Sequence, residues 1–317
     1  MCKPPIIDAV LTYGTFPMVF GVVMGLGMYG IAHGWDPVAT ATGLTASVVV
    51  VLLALERLHP YQKQWLHSHG DIQTDLLHNL VNFWIPEIYT VVFVGALTVV
   101  ATRLSDAFGM SLWPSRWPLA AQLLLALVIG ELGTYWIHRW MHENAFLWRF
   151  HAAHHSAPRL YWLNAGRFHP IDLFTQQFLA LTPLVLMGAD NGIIALHTLF
   201  TAVHGMFQHC NVRIHLGPLN WFFSMAELHR WHHSKRLEEA NTNYGANIIW
   251  WDVVFGSRFL PGDREPPTEI GIETLPNFPG SYRAHLLSPF RWRETEIAAR
   301  ATACYGSRDD ALRSSHD

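Results

Sequence analysis

"LALVIGELGTYWIHRWMHENAFLWRFHAAHH", residues 125–155, decides how the chain is read. It begins as an apolar run and ends in five histidines. Up to Ile137 its only charged residue is Glu131. His138 and His142 are four apart, which puts both imidazoles on one face of a helix, one turn apart. His151, His154 and His155 form HxxHH; His151 shares a side with both of the others, while the adjacent pair diverges by about 100°. "HRWHH" at 229–233 repeats this spacing with His229, His232 and His233, and His204 and His209 stand five apart. Of 20 histidines in the chain, thirteen fall between 138 and 233, under a third of the length, and ten of those belong to these four groups.

The surroundings are those of a bilayer protein. The chain has 317 residues, 50% hydrophobic and 14% charged, against about 25% charged in soluble chains, and mean hydropathy is +0.16. A net charge of −3 gives no basic surface for nucleic acid. Cys2, Cys210 and Cys304 are scattered, which excludes a disulfide framework or a thiolate zinc site. A spanning helix needs about 20 mostly apolar residues. Spans are expected at about 9–35, 37–55, 79–101 and 118–137, with a shorter helical hairpin at 173–189 and 191–209. The fold class is therefore all-α: one polytopic membrane domain over 1–317. Its histidine-rich cap comprises 138–171 and 210–285, and a disordered tail occupies 305–317. The N-terminal run shows no small-residue cleavage site and reads as a retained span. With the N-terminus inside, the short inner segments carry Lys3, Arg57, Lys63, Arg139, Arg149, Arg159 and Arg167, and the outer ones only Arg103 and Arg116. The excess of positive charge places the cap, and every histidine group, on the cytoplasmic side. Many of the 14 tryptophans, among them Trp113, Trp117, Trp140, Trp221 and Trp231, flank the spans and read as interface belts.

Histidine is the commonest metal ligand. Ten imidazoles are too many for one ion, whereas two ions with about five each would use them all, and each diverging pair would serve both. Imidazole suits iron, zinc, copper and nickel, so spacing alone leaves the metal open. Imidazoles left unpaired at a membrane boundary would each carry a desolvation cost that a shared metal removes.

The order HxxxH, HxxHH, HxxHH resembles the fatty acid hydroxylase/sterol desaturase superfamily. "YWIHRWMH" at 135–142, "RFHP" at 167–170, "HGMFQHCNV" at 204–212 and "NYGANIIWWDVVFGS" at 243–257 carry the likeness over roughly 75–260. The spacing of His204 and His209 looks like the third box of the related carotene hydroxylases. "MAELHRWHH" and "FGS" depart from the usual family pattern. The resemblance implies a non-haem di-iron centre that uses O2 to oxidise an unactivated C–H bond of a lipid, such as a sterol, fatty acyl chain or polyprenoid. It implies His138, His142, His151, His154, His155, His204, His209, His229, His232 and His233 as ligands. Hydroxylation is the first reading; desaturation by the same site and a zinc-dependent membrane hydrolase are the alternatives. The hydrolase would want a carboxylate base within its HxxxH pair, which neither pair contains. A metal transporter would spread its ligands through the spans.

Glu131 lies seven residues before His138, close to the same helical face, and is expected to accept the free N–H of a ligating histidine. Asp252 is expected to do similar work or to pair with an arginine. His169 precedes Pro170 and reads as a helix cap; His67, His69 and His78 read as solvated. No dinucleotide fingerprint, haem site or ferredoxin cysteine pattern is present, so two electrons per turnover must come from a separate cytochrome b5-like or ferredoxin-like protein. Lys235 and Arg236 are candidate docking residues for it.

Overall fold

The computed structural model describes residues 5–109 and 112–301. The predicted tail, Cys2 and Cys304 lie outside them. Among the described residues the chain is helical and has no strand, only three isolated bridges. Helices α1 (Pro5–Ala32) and α2 (Pro37–Leu58) form the first pair. Then come α3 (Ile72–Asn82) and α4, residues 85–108. Helix α5 (Leu119–Glu143) turns at Asn144 into α6 (Ala145–His155), and α7 (Pro170–Met187) pairs with α8 (Asn191–His209). Short helices follow: α9 (Ala226–His232), α10 (Trp250–Phe255), α11 (Tyr282–Leu287) and α12 (Trp292–Ala301).

Local chemistry sets the ends. Asp36 caps α2 by accepting from Ala39 N at 2.7 Å, Asn144 caps α6, and Asp190 caps α8. Pro37 and Pro170 occupy first-turn positions, where no N–H is missed. Gly188 ends α7 in the left-handed region, φ 89°.

Helices α1, α2, α5 and α7 are long and apolar enough to cross a membrane. The predicted spans at 9–35, 37–55 and 118–137 are among these four. The predicted span at 79–101 falls on the end of α3 and on α4. The helix at 170–187, expected to be the first arm of a shorter hairpin, is long and apolar enough to cross as well. Helix α5 also runs past the predicted end at 137, so His138 and His142 sit on the spanning helix itself. Exposed Val22, Val38 and Val50 make an outer surface that only an apolar solvent suits. Trp117, Trp140 and Trp221 are exposed as a belt requires, but Trp113 and Trp231 are buried. Trp113 donates its indole N–H to Gln122 Oε1 at 2.8 Å, and Trp231 lies under the Arg264 guanidinium.

Helix α8 is the central post. It packs on α1 and α2 through Phe16, Phe20, Phe200 and Phe207, and on α5. Helices α5 and α7 meet almost backbone to backbone. A Cβ at Gly133 would lie 2.5 Å from Leu179 O, and one at Gly130 would lie 3.2 Å from Ala180 O and 2.8 Å from His197 Nε2 of α8. That contact fixes the height at which α5 presents its histidines. Gly133→Val is therefore expected to cost about 1–3 kcal/mol, read as a lowered thermal midpoint of the detergent-solubilised protein. An unchanged midpoint would show that the two helices have room to part.

Candidate metal centre

Helix α5 supplies His138 and His142, α6 supplies His151, His154 and His155, and α8 ends in His209. Helix α9 supplies His229 and His232, with His233 as its cap residue. The structure gathers them into two sets. His138, His142, His151, His155 and His232 form one; His154, His209, His229 and His233 form the other. Within each set one ring nitrogen of every member lies within 4.8 Å of the rest. The adjacent histidines divide as helical geometry demands: His155 and His232 join the first set, His154 and His233 the second.

What the nitrogens face determines what they can bind. His138 Nδ1 donates to Tyr244 O at 2.7 Å, His232 Nδ1 to Thr242 O at 2.7 Å, and His151 Nδ1 to the Asp172 carboxylate at 2.8 Å. Carbonyl and carboxylate oxygens only accept, so these Nδ1 atoms hold the ring protons and each Nε2 is a bare lone pair. Yet His138 Nε2 lies 3.0 Å from both His151 Nε2 and His232 Nε2. Three lone pairs facing one another repel unless a cation sits among them. A proton would serve only if a buried ring became charged. For His232, burial, and then the rings of His142 and His138, push the imidazole well below its usual value. Nε2 of His142 and of His155 likewise have no protein partner.

In the second set two of the four rings are fixed in the same way, while Nδ1 of His229 and of His233 meets no acceptor. His209 Nδ1 donates to Asn164 Oδ1 at 2.9 Å and His154 Nδ1 to Arg167 O at 3.3 Å. Nε2 of His229 lies 2.9 Å from that of His209 and 3.1 Å from that of His233. Burial, then neighbouring rings, holds His154, His229 and His233 well below the ordinary imidazole value, so they are neutral as ligation requires. The donor set, imidazole throughout, fits a transition-metal pair.

Segment 242–247 holds the rings in place. Its carbonyls at 242, 244 and 246 accept from Nδ1 of His232, His138 and His204. Its amides are gripped from behind. Asp252 accepts from Tyr244 N and Gly245 N, both at 2.8 Å, and from Ser257 Oγ. Glu131 accepts from Ala246 N, from Asn247 N at 3.0 Å and from Asn247 Nδ2 at 2.9 Å. Gly245 is required here, because a Cβ would lie 2.6 Å from Ile248 O. Asn243 takes the left-handed conformation, φ 52°, and its amide bridges Leu228 O and Phe259 O. Glu131 and Asp252 therefore touch backbone amides and no histidine. They act on the rings through the segment, a different route from the direct contact expected of Glu131.

Asp172 is the carboxylate that does meet a ring, and the sequence reading passed over it. Its signal was an acid in the first turn of an apolar helix, just after "RFHP". Asn164 and the Arg167 carbonyl were also passed over. Their segment is tied to α3 and the residues before it by buried ion pairs. Arg159 pairs with Asp71 at 2.7 and 2.9 Å, and Arg167 with Asp75.

His204 stands outside both sets. Its ring lies between Phe200 and Phe223, and its Nδ1 donates to Ala246 O at 3.1 Å. His169 caps α7, accepting from Ile171 N at 3.1 Å. His78, expected to be solvated, is fully buried, and its Nε2 lies 3.0 Å from His285 Nδ1. Lys235 and Arg236 already face Glu269 and Glu238.

The fatty acid hydroxylase family model matches residues 123–257. An ornithine lipid hydroxylase of Rhizobium tropici is 42% identical over 228 residues, 71% of this chain and 69% of its own. The alkylglycerol monooxygenase of Homo sapiens is 29% identical over 145 residues, 46% of this chain and 31% of its own. A putative Delta(7)-sterol-C5(6)-desaturase of Arabidopsis thaliana is 31% identical over 148 residues, 44% of this chain and 48% of its own. No solved structure matches.

Two substitutions test the division of labour. Asp172→Ala leaves His151 Nδ1–H without its acceptor and frees the ring to change tautomer. Metal affinity should fall about 10–100-fold, measured by metal analysis after dialysis; full retention would show that the carboxylate does not orient the ring. His204→Phe should leave the metal content unchanged, and loss of an ion would make His204 a ligand.

Proposed function

The chain belongs to the fatty acid hydroxylase family, and from that membership and its paired histidine sets we propose that it is a di-iron, O2-dependent lipid hydroxylase. Its relatives are hydroxylases, monooxygenases and desaturases, and it is an oxidoreductase of the same kind. The observation that carries the di-metal reading is the convergence of bare Nε2 lone pairs in two adjoining sets. In this reading His138, His142, His151, His155 and His232 hold one ion, and His154, His209, His229 and His233 hold the other. Iron bound there supplies the activation of O2 needed to break an unactivated C–H bond.

The chain's own residues supply position. A cavity of about 340 Å³ is lined in part by His138, His154, His209 and His229. Phe83, Phe168, Leu173, Ala180 and Met206 continue its wall. An acyl chain in this slot brings its C–H bonds beside both sets. Among the described residues no carboxylate lines the cavity, which disfavours the hydrolase alternative, since that chemistry needs a base beside the metal. Hydroxylation is preferred to desaturation because a relative that is 42% identical over 71% of this chain is a hydroxylase. Ornithine lipid is for the same reason the first substrate to test. The positive charge in the short inner segments supports a cytoplasm-facing site reduced by a separate donor protein. The pairing of Lys235 and Arg236 with acids of this chain argues against those two as its docking residues.

The test compares lipid extracts of cells with and without the gene, together with metal analysis of the purified protein. The expected outcome is a lipid heavier by one oxygen and about two iron atoms per chain. His232→Ala should abolish product and lower the iron content while the chain still inserts in the membrane. Zinc with O2-independent hydrolysis would overturn the reading, and a product lighter by two hydrogens would make the chain a desaturase.

A further inference from the structure

The cavity that reaches the histidines is not purely apolar. Asn82 Oδ1, His197 Nε2, Thr201 Oγ1 and Asn247 Oδ1 are all buried and have no partner in the protein, and all four residues line this one cavity. Asn82, His197 and Asn247 are 6%, 3% and 2% exposed. A buried polar atom left unpaired is unfavourable, so four around one slot call for a ligand that pairs with them.

The neighbours of the two amides define what that ligand must bring. Asn82 Nδ2 donates to Gly166 O at 3.0 Å and Phe168 O at 2.9 Å. Asn247 Nδ2 donates to Glu131 Oε2 at 2.9 Å. Each amide is thereby oriented, and each Oδ1 left over can only accept. His197 and Thr201 stand one turn apart on α8, on the same face, and can donate or accept. An ester carbonyl or a hydrocarbon offers nothing to a fixed acceptor; an N–H or O–H does.

We propose that these four residues form a polar patch that reads a hydrogen-bond donor on the substrate, so that the enzyme takes lipids bearing an amide N–H or a hydroxyl in preference to lipids joined only by esters. The assignment rests on the cavity being the lipid site of the proposed oxidation. It adds the part of the lipid that is recognised and the residues that recognise it.

The test uses two probes that differ in one atom: N-hexadecanoylglycine methyl ester, with an amide N–H, and its O-acyl isostere, hexadecanoylglycolic acid methyl ester. Binding to the full chain in nanodiscs is measured by displacement of a fluorescent fatty acid, without reductant. The amide is expected to bind at least about tenfold more tightly, which is about 1.4 kcal/mol. His197→Phe, which keeps a ring against Gly130, and Thr201→Val, which keeps the shape, should each shrink that ratio while ester binding persists. Equal binding of the two probes to the unmodified chain would overturn the proposal and mean that water serves these atoms. A ratio unchanged in both variants would overturn the assignment to α8. Because nothing is turned over, either failure leaves the oxidation reading standing, and an inactive preparation can still show the preference.

Discussion

Everything at the centre of this molecule depends on which nitrogen of each imidazole carries the proton. Carbonyls at 242 and 244 and the Asp172 carboxylate take Nδ1–H of His232, His138 and His151. The rings then have no choice but to aim bare Nε2 lone pairs at one another, about 3 Å apart. Such a contact is repulsive by itself and becomes favourable around a cation. The surrounding fold can be understood as the apparatus that holds these donors in register. Carbonyls 242, 244 and 246 of one segment each meet a ring, and its amides at 244–247 are held by Glu131 from a spanning helix and by Asp252 from α10.

This apparatus is costly without its charge balance. Glu131, Asp172 and Asp252 are each 0% exposed, and burial pushes the Asp252 carboxyl up to about 6. A buried carboxylate persists where donors satisfy it, and backbone amides do so for Glu131 and Asp252. Two metal ions would add positive charge close to all three, and in such a site the ion's own charge is the dominant local term. Folding and metal loading are therefore coupled here: the same hydrogen bonds that orient the ligands leave the protein with facing lone pairs when no cation is bound.

Much of the centre was legible from spacing because helical geometry acts over four residues. HxxHH fixes how adjacent rings diverge, and the structure places His154 and His155, and His232 and His233, in different sets. The apolar runs likewise marked α1, α2 and α5 as spans, and α7 is also long and apolar enough to cross. The same local logic failed where partners are distant in sequence. Nothing in "HSHGDIQTDLLH" shows that His78 meets His285, 207 residues away. Nor does "GEL" show that Glu131 grips amides 115 and 116 residues further on. Asp172 was hidden for another reason: an acid in the first turn of a helix already has a sufficient local explanation, its attraction to the helix N-terminus. His204 looked like a ligand because its spacing from His209 fits a box, but five residues is more than one helical turn, and its ring stacks on Phe200 and Phe223 instead.

The central claim is that two separate ions lie among Nε2 atoms of nine histidines. The iron-edge anomalous difference map of the purified protein tests it most directly. The account predicts two peaks, one enclosed by His138, His142, His151, His155 and His232, the other by His154, His209, His229 and His233. A single peak, or a peak coordinated by His204 or by Nδ1 atoms, would contradict it.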